Sequence, residues 1–300
     1  MTVRFRPARP ATLIAVLASA LAAAALDPGW LHAQSRPTER HDRSTAAGRL
    51  MGFYSDAVAF SPAGTPRSYQ PWTVEAGVEA SYVPRLSAAQ RTAGLDKPEA
   101  TNLAPVFPRP RAVLALPYRL TIEGSWVPPL RVFGVTANLL GVAVAWRGAR
   151  VGAVDVVPRL SALTGRVRGP ITCNEETAGR SIDLRVYYDA VCYGRDSDDY
   201  FSPRHLTGEV VATGAVGRTL RPYAGVGLRR ERVRFDIGVI RPDGVRDPEH
   251  PVLVTTATRA FLTGGLTWLA GPRAVTSGEV YYAPGSLVTV RLAAALRVHQ

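Results

Sequence analysis

Cysteine and lysine are scarce in this sequence. Its 300 residues include two cysteines and one lysine, Lys97, so all but one of the 36 basic residues are arginine. No cysteine or histidine has a partner at the spacing of a zinc site, and neither a metal nor another cofactor is expected. In an exported chain an even number of cysteines predicts one disulfide, here between Cys173 and Cys192.

The sequence also lacks the basic clusters of nucleic-acid-binding proteins. Its formal charge is +12, but the arginines are scattered singly through alternating patterns instead of forming a basic stripe. No recognition-helix pattern or RNA-binding signature accompanies them. Nucleic acid is therefore not an expected partner.

No long, charge-free apolar run suited to a membrane helix follows the first 33 residues. The nearest candidate, Val132–Trp146, is rich in valine and contains Gly134, Asn138 and Gly141, a composition typical of a strand. Only helices and closed barrels satisfy their backbone hydrogen bonds in lipid. A mature chain that crosses a membrane must therefore do so as a closed barrel.

The N-terminal region has the order of features found in secretory signals. Basic residues come first, and an apolar stretch follows from Ala11 to Leu26. The small residue Ala33 suits a cleavage site, with Ala25 as a second candidate. A retained membrane anchor is the alternative, but the apolar stretch is shorter than the ~20 residues of a spanning helix. We expect a signal peptide over residues 1–33 and export of the remainder.

Alternation of apolar and polar residues, which is typical of strands, dominates the rest of the chain. From Trp72 to Tyr82 the even positions are apolar and the odd positions are polar or glycine. This pattern fits a soluble β-sandwich or ligand-binding barrel, whose apolar face is buried. It also fits a transmembrane barrel, whose apolar face meets lipid. The pattern recurs over residues 118–126, 206–216, 232–239, 254–268 and 288–298.

Three features favour the transmembrane barrel. The alternating segments are longer than the ~5–6 residues of a usual strand, and the polar face carries charges of both signs. Aromatic residues stand near the ends of the segments, as in the interfacial girdles of membrane barrels. We therefore predict an all-β, up-and-down antiparallel transmembrane β-barrel over residues 50–300, preceded by a flexible periplasmic lead over 34–49. The aromatic residues are Trp72, Tyr82, Tyr118, Trp126, Trp146, Trp268 and Tyr282.

The strand number is predicted from the alternating segments and from parity. Bacterial single-chain barrels have even strand numbers, so the nine clear segments require a tenth, for which Leu50–Phe60 is the candidate. About ten strands are expected, within a range of eight to twelve. The proline-rich stretch 85–110 is expected to be an irregular periplasmic connection, and 167–204 an extracellular loop. The nine segments are 72–84, 111–127, 131–146, 150–166, 205–217, 220–239, 253–269, 273–282 and 286–299.

The segment Pro222–Leu228 has a Pro-Tyr-x-Gly-x-Gly-Leu pattern at the start of a strand. With the export signal and the alternation, it resembles small outer-membrane β-barrels such as the OmpA-like, OmpW-like and fatty-acid-transporter-like groups. The resemblance implies a non-enzymatic barrel in the outer membrane, in contact with its lipid, with a structural or narrow-pore role. Small solutes are then possible partners.

Charged residues on the polar face are candidates for the barrel interior. One hypothesis is a pore whose arginine excess favours anions, and the other is a filled interior in which opposite charges pair, because narrow barrels are mostly occupied by side chains. The candidates are Glu75, Glu79, Arg119, Glu123, Glu209, Arg232, Arg234, Asp236, Arg259, Glu279 and Arg291.

A lipid hydrolase in the outer membrane is a third class of function. Ser202, His205 and Asp199 are close in sequence, but closeness in sequence does not create catalytic geometry. The chain has no Gly-x-Ser-x-Gly element. Catalysis is therefore not the expected function, and no catalytic residue is assigned.

Overall fold

The computed structural model describes residues 37–65, 70–91, 105–132, 134–174 and 192–299. Ten antiparallel strands of this part of the chain form one closed ring, and no helix within it is long and apolar enough to span a bilayer. The strands are β1 Val74–Tyr82, β2 Val106–Leu116, β3 Leu120–Val127, β4 Val135–Trp146, β5 Val154–Gly169, β6 Asp199–Gly214, β7 Leu220–Asp236, β8 Val252–Leu269, β9 Ala274–Ala283 and β10 Leu287–His299.

Each of the ten strands pairs with its neighbour in the chain, and the last pairs with the first. In this closing pair Leu292 lies opposite Ala80 and Ala294 opposite Val78. Because every neighbour is antiparallel and sequential, the ring is an up-and-down barrel. The predicted fold class is confirmed.

The tenth strand is not the one predicted from the sequence. The segment 111–127 is two strands, because the chain turns at Pro117–Arg119, where Tyr118 and Arg119 both have positive φ. The first of these two strands, β2, begins at Val106, before the predicted segment, and includes Pro108 and Pro110. Proline lacks the backbone donor that a central strand needs. At Pro108 and Pro110 the strand pairs only with β1, since its pairing with β3 begins at Arg111.

The segment predicted as the tenth strand, Leu50–Phe60, is mostly helical, so that prediction was wrong. Helix α1 spans Ala46–Ala57, and the Thr45 side chain caps its N-terminus by accepting a hydrogen bond from the Gly48 amide at 3.1 Å. Threonine at this position satisfies one of the orphan donors of the first helical turn. The helix lies inside the ring, where Leu50, Met51 and Phe53 are buried.

Between the two aromatic borders the outer surface of the ring is apolar, and the inner surface carries charges. On β10 the side chains of Leu292 and Leu296 are each 61% exposed. Arg291, which is on the opposite face of the same strand, is 1% exposed. A soluble β protein buries its leucines and exposes its arginines, so this inverse arrangement is that of a transmembrane barrel. Aromatic side chains border the apolar band at both ends: Trp72, Tyr118, Trp146 and Trp268 at one end, and Tyr82, Trp126 and Tyr282 at the other.

The two ends of the barrel differ in their connections. The turn end carries 117–119, 147–153, 215–219 and 270–273, and the loop end carries the short connections 128–134 and 284–286 and the longer ones 83–105, 170–198 and 237–251. The proline-rich connection after β1 therefore lies at the loop end, on the opposite side from its prediction, because the extra turn at Pro117–Arg119 reverses the parity. Cys173 and Cys192 form the predicted disulfide at this end, with 5.7 Å between their Cα atoms.

Candidate functional site

The barrel interior is occupied by the chain's own N-terminal part, residues 46–65, here called the lumen segment. It enters at the loop end, where Thr38–Arg40 pairs in parallel with the start of β8. It continues as helix α1 and then as an extended stretch. It leaves at the turn end, where the Thr65 amide donates to Thr267 Oγ1 at 3.0 Å.

Helix α1 is held by a buried ionic cluster around Asp56. The Asp56 carboxylate is fully buried. It accepts hydrogen bonds from Arg229 of β7 and from Arg259 Nη1 of β8, the latter at 2.9 Å. Arg43 Nη1 lies 3.6 Å from the same carboxylate, and Arg43 Nη2 donates to Glu231 Oε1. The helix is therefore tied to the β7–β8 wall by charge-assisted hydrogen bonds, which are stronger than neutral ones.

A serine–histidine contact lies beside this cluster. Ser55 Oγ donates to Glu231 Oε2 at 2.7 Å and therefore accepts from His205 Nε2 at 2.8 Å. Ser55 is 0% and His205 2% exposed, so no substrate can reach the pair in this conformation. Ser202, three residues before His205 on β6, is on the opposite face of that strand, and the hydrolase triad considered from the sequence is not assembled.

Arginines of the wall bond to the backbone of the extended part of the lumen segment. Arg109 donates to Val58 O at 2.8 Å and to Ala59 O at 3.2 Å. Arg159 donates to Pro62 O at 2.8 Å and also to Gly64 O. An extended stretch has no internal partners for its carbonyls, and a buried carbonyl without a partner is costly. The wall side chains therefore do what a neighbouring strand does in a sheet.

Two further wall groups complete this backbone contact. Arg111 Nη1 donates to Ala63 O at 2.9 Å. Tyr223 Oη accepts from the Gly64 amide and donates to Glu279 Oε2, both at 3.0 Å. The contact between segment and wall thus extends over both donors and acceptors of the backbone.

Wall carboxylates neutralise the arginines that hold the segment. Glu79 lies 3.7 Å from Arg109 and 3.6 Å from Arg111. Glu209 lies 3.5 Å from Arg159. Such pairing is required for charges in a region that water does not fill. Among the described residues, the charged side chains of the interior therefore form an ionic network.

The predicted interior residues divide into two groups. Glu75, Glu79, Glu123, Glu209, Glu279 and Arg291 are buried, and Arg259 reaches Asp56 from the wall. Four others were predicted to line the lumen but do not face it: Arg119 is exposed in the turn after β2, Arg232 is exposed on the outer face of β7, and Arg234 and Asp236 are half-buried on that face.

The reason for the last difference is a change in what surrounds β7 along its length. Near the turn end the exposed residues are apolar, as at Val226 and Leu228, and the inward ones are small or polar. Nearer the loop end Val233 and Phe235 are buried with the core around α1, and the outward positions are arginines. The apolar residues change face without a bulge, because the outer surface there no longer meets lipid.

Sequence reasoning missed the partners of the lumen segment. Asp56 and Ser55 were assigned to a strand, and Arg109 to an irregular connection. By alternation Arg229 and Glu231 share the face of the apolar residues Val233 and Phe235, and neither was among the predicted interior charges. Two features of the sequence point to this arrangement. Thr45 is a residue type that commonly caps the N-terminus of a helix, and Glu231 in an apolar phase indicates a buried carboxylate with a basic partner.

A small cavity separates the end of the lumen segment from the wall. Its volume is about 50 Å³, and it is lined in part by Thr65, Glu75, Arg111, Glu123 and Arg159. A cavity of this size with polar walls holds a few water molecules. It is too small for an organic solute.

The glycines of the Pro-Tyr-x-Gly-x-Gly-Leu segment make room inside the barrel. A Cβ on Gly227 would lie 2.3 Å from the Phe261 ring, which stacks on Tyr281 at 5.1 Å. We expect Gly227→Ala to lower the free energy of unfolding by about 1–3 kcal/mol, the cost of overpacking. Gly208→Ala is the matched control, since a Cβ there meets nothing within 4 Å. Urea titration of the barrel in detergent measures both, and equal effects would contradict the packing explanation.

The similarity of the chain to known proteins lies in its structure. No protein-family model and no curated protein matches it. Solved structures to which it is similar include a designed transmembrane β-barrel, 9% identical, covering 77% of this chain and 100% of its own, with a TM-score of 0.30.

Two natural proteins are also among its structural neighbours. Ail, the attachment invasion locus protein of Yersinia pestis, in complex with sucrose octasulfate, is 9% identical and covers 75% of this chain and 96% of its own, with a TM-score of 0.29. The toluene transporter TodX of Pseudomonas putida is 11% identical and covers 89% and 79%, with a TM-score of 0.32. These neighbours are outer-membrane β-barrels, and the strand pairing of the chain itself defines its fold.

Proposed function

We propose that this protein is an outer-membrane β-barrel that is closed by its own lumen segment and has a structural, non-enzymatic role. The observation that carries the proposal is the bonding of residues 58–64 to the wall through Arg109, Arg111, Arg159 and Tyr223. A segment bonded along its backbone is part of the core. The barrel then serves to hold its loop-end structures at the membrane surface.

The outer-membrane location is part of this proposal. The apolar outer surface with its two aromatic borders supports a bilayer environment. The predicted signal over residues 1–33 supports export. Outer-membrane lipid is thus the first proposed partner.

Fractionation and conductance test the proposal together. We expect the protein to require detergent for extraction and to give a heat-modifiable band on a gel. In planar bilayers the intact protein should show no stepped conductance. Recovery from the periplasmic wash would contradict the membrane location, and frequent channel openings of the intact protein would contradict the closed barrel.

A transport role is the second candidate. The cavity beside Thr65 and Glu75 supports it, because it places water-sized space between the lumen segment and the wall. Passage of a small solute would then require the segment to move. Uptake into liposomes by the intact protein, absent from liposomes without it, would favour this candidate over the structural role.

A further inference from the structure

Strand β8 has an unpaired stretch of edge at the loop end of the barrel. The strand spans Val252–Leu269, but β9 pairs with it only from Leu262 onward. On the same side, away from β7, Thr38–Arg40 pairs with its first three residues. Between these two partners, residues 255–261 have no strand on that side within the described part of the chain. This stretch is here called the free edge.

The backbone groups of the free edge point away from β7 at every second residue. Two hydrogen bonds just before it fix this direction, each 2.9 Å long. The Val252 amide donates to the Pro37 carbonyl, and the Val254 carbonyl accepts from the His41 amide. Strand β8 pairs with β7 without a register shift, so the alternation of backbone direction continues along the free edge. The residues that continue it are Thr256, Thr258 and Ala260, and no described residue bonds to their backbone on that side.

The free edge lies beyond the apolar band. Leu262, the last large apolar residue on the outer face of β8, is 47% exposed and lies opposite Tyr282 of the aromatic border. Thr256 and Thr258, farther along the strand, are exposed. An open edge is not tolerated in hydrocarbon, whereas in water it is a template for another extended chain.

A second copy of this barrel in the same membrane does not fit the free edge. Symmetric pairs of subunits are related by a two-fold axis, which for two barrels in one bilayer runs along the membrane normal. Barrel strands tilt by about 35–45° from that direction. The two β8 strands would therefore cross at a wide angle instead of pairing, and the fitting occupant is a segment of another protein.

Basic side chains flank the free edge. Arg40 ends the paired stretch before it, and Arg230 of β7 is the direct partner of Thr258. Both arginines are exposed, and neither has an ion pair among the described residues. Glu39, the acidic residue next to Arg40, lies 3.4 Å from His41 Nε2. Acidic side chains on an added segment would complement this charge.

We propose that the free edge of β8 binds an acidic, extended segment of a partner protein as an added β-strand on the loop-end side of the membrane. Backbone hydrogen bonds supply the affinity in such an addition, and side chains select the segment. From Thr256 to Ala260 the edge accommodates about five residues, the length of a usual strand. The inference rests on the proposed membrane location, and it adds a partner of stated chemistry to the barrel.

Proline on the free edge tests the proposal. Thr258→Pro removes an N–H that points away from β7, so the pairing with β7 is kept. Thr258→Val keeps the N–H and is the matched control. The probe is a short fluorescent peptide of alternating glutamate and valine, titrated into the barrel in neutral detergent micelles. We expect Thr258→Pro to weaken binding about 10-fold, since a buried carbonyl of the peptide loses its donor, and Thr258→Val to change it by less than about two-fold.

Amide hydrogen exchange provides an independent readout. In the free barrel the amides of Thr256, Thr258 and Ala260 should exchange rapidly, because they have no acceptor in the described part of the chain. Saturation with the peptide should slow all three.

Several outcomes would overturn the proposal. Equal binding to Thr258→Pro and to the wild type, or equal binding of a peptide with N-methylated amides, removes the strand addition. Equal binding of a peptide of alternating lysine and valine removes the acidic partner. A dimer of the wild type that Thr258→Pro dissociates would assign the free edge to a second copy instead.

Two checks keep the test decisive. If Thr258→Pro loses its heat-modifiable band, Ala260→Pro replaces it, because the Ala260 amide points in the same direction. A wild-type barrel that needs detergent but does not bind the peptide overturns the free-edge proposal alone, and a protein found in the periplasmic wash overturns the proposed function.

Discussion

Asp56→Ala should lower the free energy of unfolding by about 3–5 kcal/mol, the usual effect of removing one partner of a buried ion pair. The carboxylate is fully buried and contacts Arg43, Arg229 and Arg259. Without it, Arg43 and Arg229 keep Glu231 as an anionic partner, whereas Arg259 loses the carboxylate to which it donates. Urea titration in detergent, followed by the heat-shifted band, measures the loss.

An exposed carboxylate provides the control for this experiment. Asp196 lies at the loop end and is exposed, and Asp196→Ala should change the free energy of unfolding by less than about 0.5 kcal/mol. Asp56→Asn keeps the shape and part of the hydrogen bonding, so its effect should be intermediate. If Asp56→Ala unfolds at the same urea concentration as the wild type, helix α1 is not anchored by this cluster.

Replacing Arg109 and Arg159 together by alanine should convert a closed barrel into a conducting one. The two side chains donate to four carbonyls of the lumen segment. Hydrogen bonds to charged groups each contribute about 1.5–3 kcal/mol. The lumen holds a helix, whose diameter with side chains is about 10–12 Å, so displacement of the segment leaves an aqueous path. Stepped currents in planar bilayers are the expected result.

Arg218→Ala with Arg273→Ala carries the same change of charge in exposed turns and should remain closed. Deletion of residues 46–65 provides an independent second variant, and it should conduct whenever it gives the heat-modifiable band. A folded deletion variant without any current would show that the wall side chains fill the lumen by themselves. The lumen segment would then not be what closes the barrel.

The barrel wall was predictable from the sequence because the two faces of each strand meet different environments, and apolar and polar residues therefore alternate along it. Trp72–Tyr82 alternates strictly, and β1 spans Val74–Tyr82. Lipid on one side and a polar interior on the other impose this period throughout the apolar band. Strand β2 was not predictable in this way, since Pro108 and Pro110 are tolerated only because β3 does not pair with that part of it.

The lumen segment was hidden for a different reason. Beyond its first turn, where Arg49 is exposed, the helix is enclosed by the wall, and so is the stretch after it, so no alternation or single apolar stripe marks the segment. Its polar residues, such as Ser55 and Asp56, meet partners about 150 to 200 positions away in sequence. On β7 the outward direction of Arg232 depends on where the hydrocarbon ends, and local sequence does not specify that boundary.

The path of the lumen segment constrains the order of assembly. Residues near Thr38 lie at one mouth of the barrel and Thr65 at the other, so the chain runs along the axis before it turns back into β1. A closed ring of backbone hydrogen bonds admits nothing from the side. The axial segment is therefore enclosed either before β10 joins β1, while the seam between them is open, or afterwards by threading through one mouth of the barrel.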